Sequence, residues 1–187
     1  LATVKSFGST LQGHPDIQCT PGIEANTGSL GQGLSVASGL AAGLRIDRRP
    51  SCVYCVIGDG ELAEGQIWEA AIAAAHYKLD NLVAILDQNG LQATGAIAQR
   101  MNTAPYDAKW RAFGWHVEEI DGHDMGAILG ALDRVDAITG QPKIIIAHTI
   151  KGAGISFAEN QVSFHNGQMT AEQYQQACTE QEPALTH

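Results

Sequence analysis

A short apolar run over residues 53–57 stops at Gly58-Asp59-Gly60, and a second apolar run ends at Asp87-Gln88-Asn89. Between them, residues 62–77 are rich in Ala, Glu and Ile, with Trp68, Ala71, Ile72 and Ala75 recurring at helical spacing. The stretch reads as strand, Gly-rich turn, helix, strand. A right-handed crossover of this kind makes the two strands parallel, so Asp59 and Asn89 arrive at the same carboxyl edge, where open α/β sheets bind ligands. A carboxylate oxygen, an amide oxygen and free backbone amides at a helix start suit Mg2+ holding a diphosphate. The competing reading is a tight turn whose Asp caps the helix. A second oxygen donor, Asn89, ending the very next strand and followed by Gly90, favours a site.

The rest of the chain can be placed around that unit. Residues 1–27 show little periodicity, and Gly8, Gly13, Pro15, Pro21 and Gly22 mark a loop after a short helical start. Within it, His14 sits on a turn restrained by Pro15. Gly28, Gly31 and Gly33 precede a helical pattern over 34–44, which fits either a backbone-lined pocket or a close helix contact. Downstream, the pattern predicts a short helix over 107–113, a strand over 115–120, a helix over 125–138 and a strand over 143–147. His123, in an Asp-Gly-His turn, is expected to cap the helix that follows. The last strand leads into a Gly-rich loop, 148–154, and then to His165, which by itself could be a plain surface imidazole. Thr170 and Gln173 have capping-box spacing and open a last helix through Cys178.

Composition excludes several classes of function. The chain has 187 residues, a formal net charge of −9 and 44% hydrophobic residues, which suits one α/β domain with a sizeable core. An acidic balance without a basic stripe argues against nucleic acid as a partner. No apolar run approaches the ~20 residues needed to span a bilayer, and no signal-peptide pattern is present, so the expected location is cytoplasmic, away from membranes. The four cysteines, Cys19, Cys52, Cys55 and Cys178, form no framework. Cys52 and Cys55 have redox or zinc spacing, but along a strand residues three apart face opposite ways, which makes them core or edge thiols.

Gly58-Asp59-Gly60 followed by Asn89 resembles the signature of thiamine-diphosphate enzymes, and the run from Gly58 to Gln92 is more specifically similar to transketolase, above all to the amino-terminal subunit of split transketolases. The Ala-His-Tyr-Lys-Leu-Asp-Asn run at 75–81 fits transketolase better than a deoxyxylulose-phosphate synthase. The resemblance implies a doubly wound, mostly parallel sheet with helices on both faces. It implies that Asp59, the Asn89 side chain and the Leu91 carbonyl hold the metal. The Thr-Gly-x-Leu-Gly-Gln-Gly pattern at 27–33 implies that Gly28, Ser29 and Leu30 contact the aminopyrimidine, with Gly60, Asn89 and His165 at the diphosphate. His14 and His165 are the implied catalytic residues, acting on substrate hydroxyls and protons. Glu64 is implied at the cofactor end, meeting a partner chain's glutamate, against the plainer reading of a salt-bridging surface residue.

The resemblance runs through nearly the whole chain, 1–187, as a single diphosphate-type domain, and implies that the family's first segment and its pyrimidine-binding domain lie outside it. Two departures bear on substrate range: Ala93 and Thr94 stand where a bulky apolar residue and an Asp are usual, and Phe164-His165-Asn166-Gly167 replaces Trp-His-Gly. The implied activity is transfer of a two-carbon glycolaldehyde unit from a ketose phosphate to an aldose phosphate with thiamine diphosphate and Mg2+. It would require a pyrimidine-binding transketolase subunit, in a homodimer or heterotetramer. The alternative is a non-catalytic cofactor-binding or interaction module.

Overall fold

The computed structural model describes residues 3–181. Four strands form a parallel sheet: β1 (Val53–Gly58), β2 (Leu82–Gln88), β5 (His116–Asp121) and β6 (Lys143–His148), in the order β1-β2-β6-β5. Two short strands, β3 (Leu91–Gln92) and β4 (Gly95–Ala96), make an antiparallel hairpin beside the sheet's carboxyl edge. The helices are α1 (Gln32–Ile46), α2 (Gly65–His76), α3 (Ile97–Arg100), α4 (Tyr106–Ala112), α5 (Met125–Asp136) and α6 (Ala171–Gln181).

Winding in two directions explains why both faces are covered. The step from β1 to β2 runs one way across the sheet, and the step from β5 back to β6 runs the other. Right-handed crossovers must therefore place α2 and α5 on opposite faces. Strand alternation supplies the matching apolar surfaces. Cys55, Ile57, Leu82, Ala84, Leu86, Val117, Ile144 and Ile146 point toward α1, α2 and α4. Val83, Ile120, Ile145 and Ala147 point toward α5. Each fully buried Ile or Leu here contributes roughly 1.5–3 kcal/mol.

Helix composition fits that packing. α2 turns Ile67, Ala70, Ala71 and Ala74 inward, and such small side chains let it lie close to the sheet. Beside it, Trp110 meets Trp68 at 5.3 Å and Trp115 at 4.8 Å between ring centroids. The indoles of Trp68 and Trp115 donate to the carbonyls of Leu62 and Ala71, so their polar ends are satisfied inside the core.

The structure shifts several expected boundaries. Residues 60–63 form a separate 3-10 turn, and α2 starts only at Gly65, because Glu64 is extended with ψ 125°. Trp115 precedes β5 rather than opening it. Thr170 and Gln173 do form the reciprocal capping box, and α6 extends past Cys178 to Gln181.

Candidate cofactor site

Asp59 follows directly on β1, and its side chain is 1% exposed. Its Oδ2 accepts the Gly90 amide at 2.6 Å, stitching the end of β1 to the turn after β2. No capping bond leaves this side chain, so the capping alternative fails: Asp59 reaches across the sheet edge instead of along its own helix. Burial pushes its pKa up, against the lowering effect of the Gly90 and Gly60 amides, and the neighbouring Asp87 charge pushes it up further.

Asn89 lies at the same edge. Its Oδ1 accepts the Leu91 amide at 3.0 Å, and its Nδ2 donates to Asp87 Oδ2 at 3.3 Å. The other Asp87 oxygen accepts the Thr149 hydroxyl, while the Thr149 amide donates to the Gln88 carbonyl at 3.1 Å, so the loop leaving β6 is pinned to the end of β2.

This edge suits a divalent cation and a diphosphate. Asp59 and Asp87 place two carboxylates near one another, and among the described residues the ion pairs, Arg134–Glu118 and His148–Glu119, involve neither. A cation would offset that charge, and the Asn89 oxygen keeps a second lone pair for it. Gly60 is packed so tightly that a Cβ there would stand 2.9 Å from Gln92 Cβ, so the turn after Asp59 has no space for a side chain at this position.

A second strip of the site comes from the loop before α1. Gly28 has φ +135°, and a Cβ on it would sit 2.5 Å from the His14 ring, so His14 and Gly28, distant in sequence, lie in contact. Ser29 and Leu30 are exposed beside them, and the three residues Gly28 to Leu30 line a cleft of about 930 Å3 that runs along α1 and the free edge of β1. Gly31 (φ +83°) packs against Glu64, whose Cβ a side chain at Gly31 would meet at 2.8 Å. Glu64 is exposed and, among the described residues, makes no ion pair.

His165 ends a 3-10 turn, Val162–His165, that packs against β3. Its ring is exposed, and no hydrogen bond joins it to Asp59, Asn89 or His14 among the described residues. The expectation for His123 is overturned. Asp124 caps α5, accepting the Gly126 and Ala127 amides, whereas His123 Nε2 accepts the Ile150 amide at 2.8 Å. His123 thereby ties the β6 loop to the end of β5. Cys52 is exposed and Cys55 buried, and no group of three or more His, Cys, Asp or Glu side chains is placed to hold a metal among the described residues.

Sequence reasoning missed Glu61. Its carboxylate accepts the Gly31 amide at 2.7 Å and the Gly58 amide at 3.2 Å. An acid immediately after Gly-Asp-Gly, facing a helix N-terminus, was the available signal.

Known proteins resemble this chain in both sequence and backbone. Residues 1–181 match the family described as transketolase, thiamine diphosphate binding domain. The chain is 46% identical over 178 residues to an apulose-4-phosphate transketolase subunit from Phocaeicola vulgatus, covering 95% of this chain and 63% of that protein. It is 43% identical to the 6-deoxy-6-sulfo-D-fructose transketolase subunit SqwG of a Clostridium species, covering 97% of this chain and 66% of that one. It thus spans less than two thirds of either relative. Among solved structures, the transketolase of Campylobacter jejuni superposes with a TM-score of 0.90 at 31% identity, over 95% of this chain and 29% of that one. With sequence and backbone in agreement over nearly its whole length, the chain belongs to the transketolase thiamine diphosphate-binding domain family.

Proposed function

We propose that this chain is the diphosphate-binding part of a transketolase that moves a two-carbon glycolaldehyde unit from a ketose phosphate to an aldose phosphate, using thiamine diphosphate and Mg2+. The observation that carries the reading is Asp59, a buried carboxylate bonded to Gly90 across the strand ends and, among the described residues, paired with no cation. Asp59, the Asn89 side chain and the Leu91 carbonyl would hold Mg2+, and Gly60 and His165 would contact the diphosphate. Gly28, Ser29 and Leu30 would meet the aminopyrimidine from the exposed loop beside His14. When bound, thiamine diphosphate supplies the carbon nucleophile that accepts the two-carbon unit. His14 and His165 would bind substrate hydroxyls and move protons there, a role suited to a side chain that titrates near neutrality.

Both relatives carry the word subunit in their names, which supports a pyrimidine-binding partner that completes the site, in a homodimer or heterotetramer. The names of those relatives specify apulose-4-phosphate and 6-deoxy-6-sulfo-D-fructose, so the proposed donor is a ketose phosphate or a close analogue. Glu64 would meet the partner's glutamate across the interface. The proposed setting is the cytoplasm; among the described residues no helix is long and apolar enough to cross a membrane. Calorimetric titration with thiamine diphosphate tests it. Binding should appear with Mg2+ and vanish in EDTA, because without the metal Asp59 and Asp87 repel the diphosphate. Equal affinity in EDTA would remove the metal role of Asp59 and Asn89.

A further inference from the structure

Glu61 joins two segments that the proposed site needs at a fixed distance. Its Oε1 accepts the amide of Gly31, which closes the loop carrying Gly28, Ser29 and Leu30 and precedes α1. Its Oε2 accepts the amide of Gly58, which ends β1 and opens the Asp59-Gly60 turn. Among the described residues no backbone hydrogen bond links these two segments: Gln32 turns back to Ser29, and Asp59 donates to Asp87. The Gln32–Gln66 amide pair, directly after Gly31, and the Gln66–Ser35 bond tie α1 to the start of α2, but neither reaches the Gly58-Asp59-Gly60 turn. The carboxylate also lies at the N-terminus of the 15-residue helix α1, where the helix dipole favours a negative charge. Hydrogen bonds to an ionised acceptor are about twice as strong as neutral ones. Glu61 lines the same cleft as Gly28, Ser29 and Leu30, whereas Asp59 and Asn89 lie outside its walls.

We propose that Glu61 is a positioning residue that locks the ring-contacting loop to the diphosphate turn, so that one elongated ligand can reach both. The inference rests on the cofactor reading above. A rigid spacing between two half-sites raises affinity for a ligand that spans them, and leaves a ligand confined to one half-site unaffected. The experiment uses two probes in the presence of Mg2+: inorganic pyrophosphate, which fills only the diphosphate turn, and thiamine diphosphate, which spans both. Calorimetry on the wild type, Glu61→Ala and Glu61→Gln gives the affinities. Thiamine diphosphate should bind about tenfold or more weakly to Glu61→Ala, with a smaller loss for Glu61→Gln, which keeps the side chain's size and one acceptor oxygen. Pyrophosphate affinity should stay within about twofold in both variants. Unchanged thiamine diphosphate affinity in both variants overturns the proposal. So does an equal loss for both probes, the mark of a merely structural residue. A wild-type protein that binds neither probe, alone or with the partner subunit added, refutes the cofactor reading itself. Glu61→Gln, with its volume preserved, keeps the comparison readable if the alanine variant is unstable.

Discussion

Asp59 shows in one residue how a site is held against the stability of the fold. Burial raises its pKa, so the folded chain binds the proton more tightly than the unfolded one. Its share of stability is therefore greatest at acid pH and is lost as pH rises from the ordinary carboxylate range through the higher native value. Asp59→Asn keeps an oxygen for the Gly90 amide and removes the buried charge. It should stabilise the chain by about 1 kcal/mol at neutral pH, a Tm rise of roughly 2–4 °C in a thermal melt, while abolishing Mg2+-dependent cofactor binding. A lowered Tm would show that the charge is compensated in a way its hydrogen bonds do not reveal. His165 invites the opposite expectation, because its ring is exposed. In the complex with the partner, His165→Ala should lower the catalytic rate by about a hundredfold, the scale of acid–base assistance, with a much smaller loss of cofactor affinity. A variant with wild-type rate and wild-type binding would return His165 to the solvated surface.

Among elements, the turn that enters α5 separates two neighbouring residues with different work. Asp124 Oδ1 takes the Gly126 and Ala127 amides at 2.8 and 3.2 Å, whereas the His123 ring holds Ile150. Asp124→Ala should cost about 1 kcal/mol of stability, read as a fall in Tm, and His123→Ala should leave the α5 cap untouched. Amide exchange would separate them, rising at Gly126 and Ala127 in the first variant and at Ile150 in the second. The loop before α1 carries a sharper demand. Any side chain at Gly28 meets the His14 ring and must adopt φ +135°, so Gly28→Ala should displace His14 and weaken thiamine diphosphate binding about tenfold or more. Since this loop is exposed, Tm should change little in that variant.

For the molecule as a whole, the expectation concerns what 187 residues can do alone. On the proposed reading they would supply the metal and diphosphate ends of the site, and the loop proposed to meet the aminopyrimidine lies open, with Leu30 59% exposed. On this division of labour the purified chain should show no transketolase turnover, and turnover should appear once a pyrimidine-binding partner is added. Robust activity from the chain by itself would refute the need for that partner.

The order of the main strands and helices was legible in the sequence because it is encoded locally, whereas the β3–β4 hairpin and α3 were not read from it. Runs of apolar residues bounded by turns marked β1, β2, β5 and β6, helical spacing marked α1, α2 and α5, and Thr170 with Gln173 marked the start of α6. Asp59 and Asn89 could be brought to one edge because the handedness of a crossover leaves a single arrangement. Local pattern does not report what a side chain meets across the fold. That Asp59 bonds Gly90, that Glu61 clips Gly31 to Gly58, that His14 lies on Gly28 and that His123 holds Ile150 all emerge only when distant segments are packed together. Each such partner comes from another loop, and its position depends on how closely the packed helices draw the strand ends together. Residue order was enough to say which faces must be buried and where the chain turns, since both follow from the spacing of apolar side chains and glycines. Which polar groups satisfy one another at the shared edge was settled by packing, because a hydrogen bond needs its partners within a few tenths of an ångström and no linear pattern carries that distance.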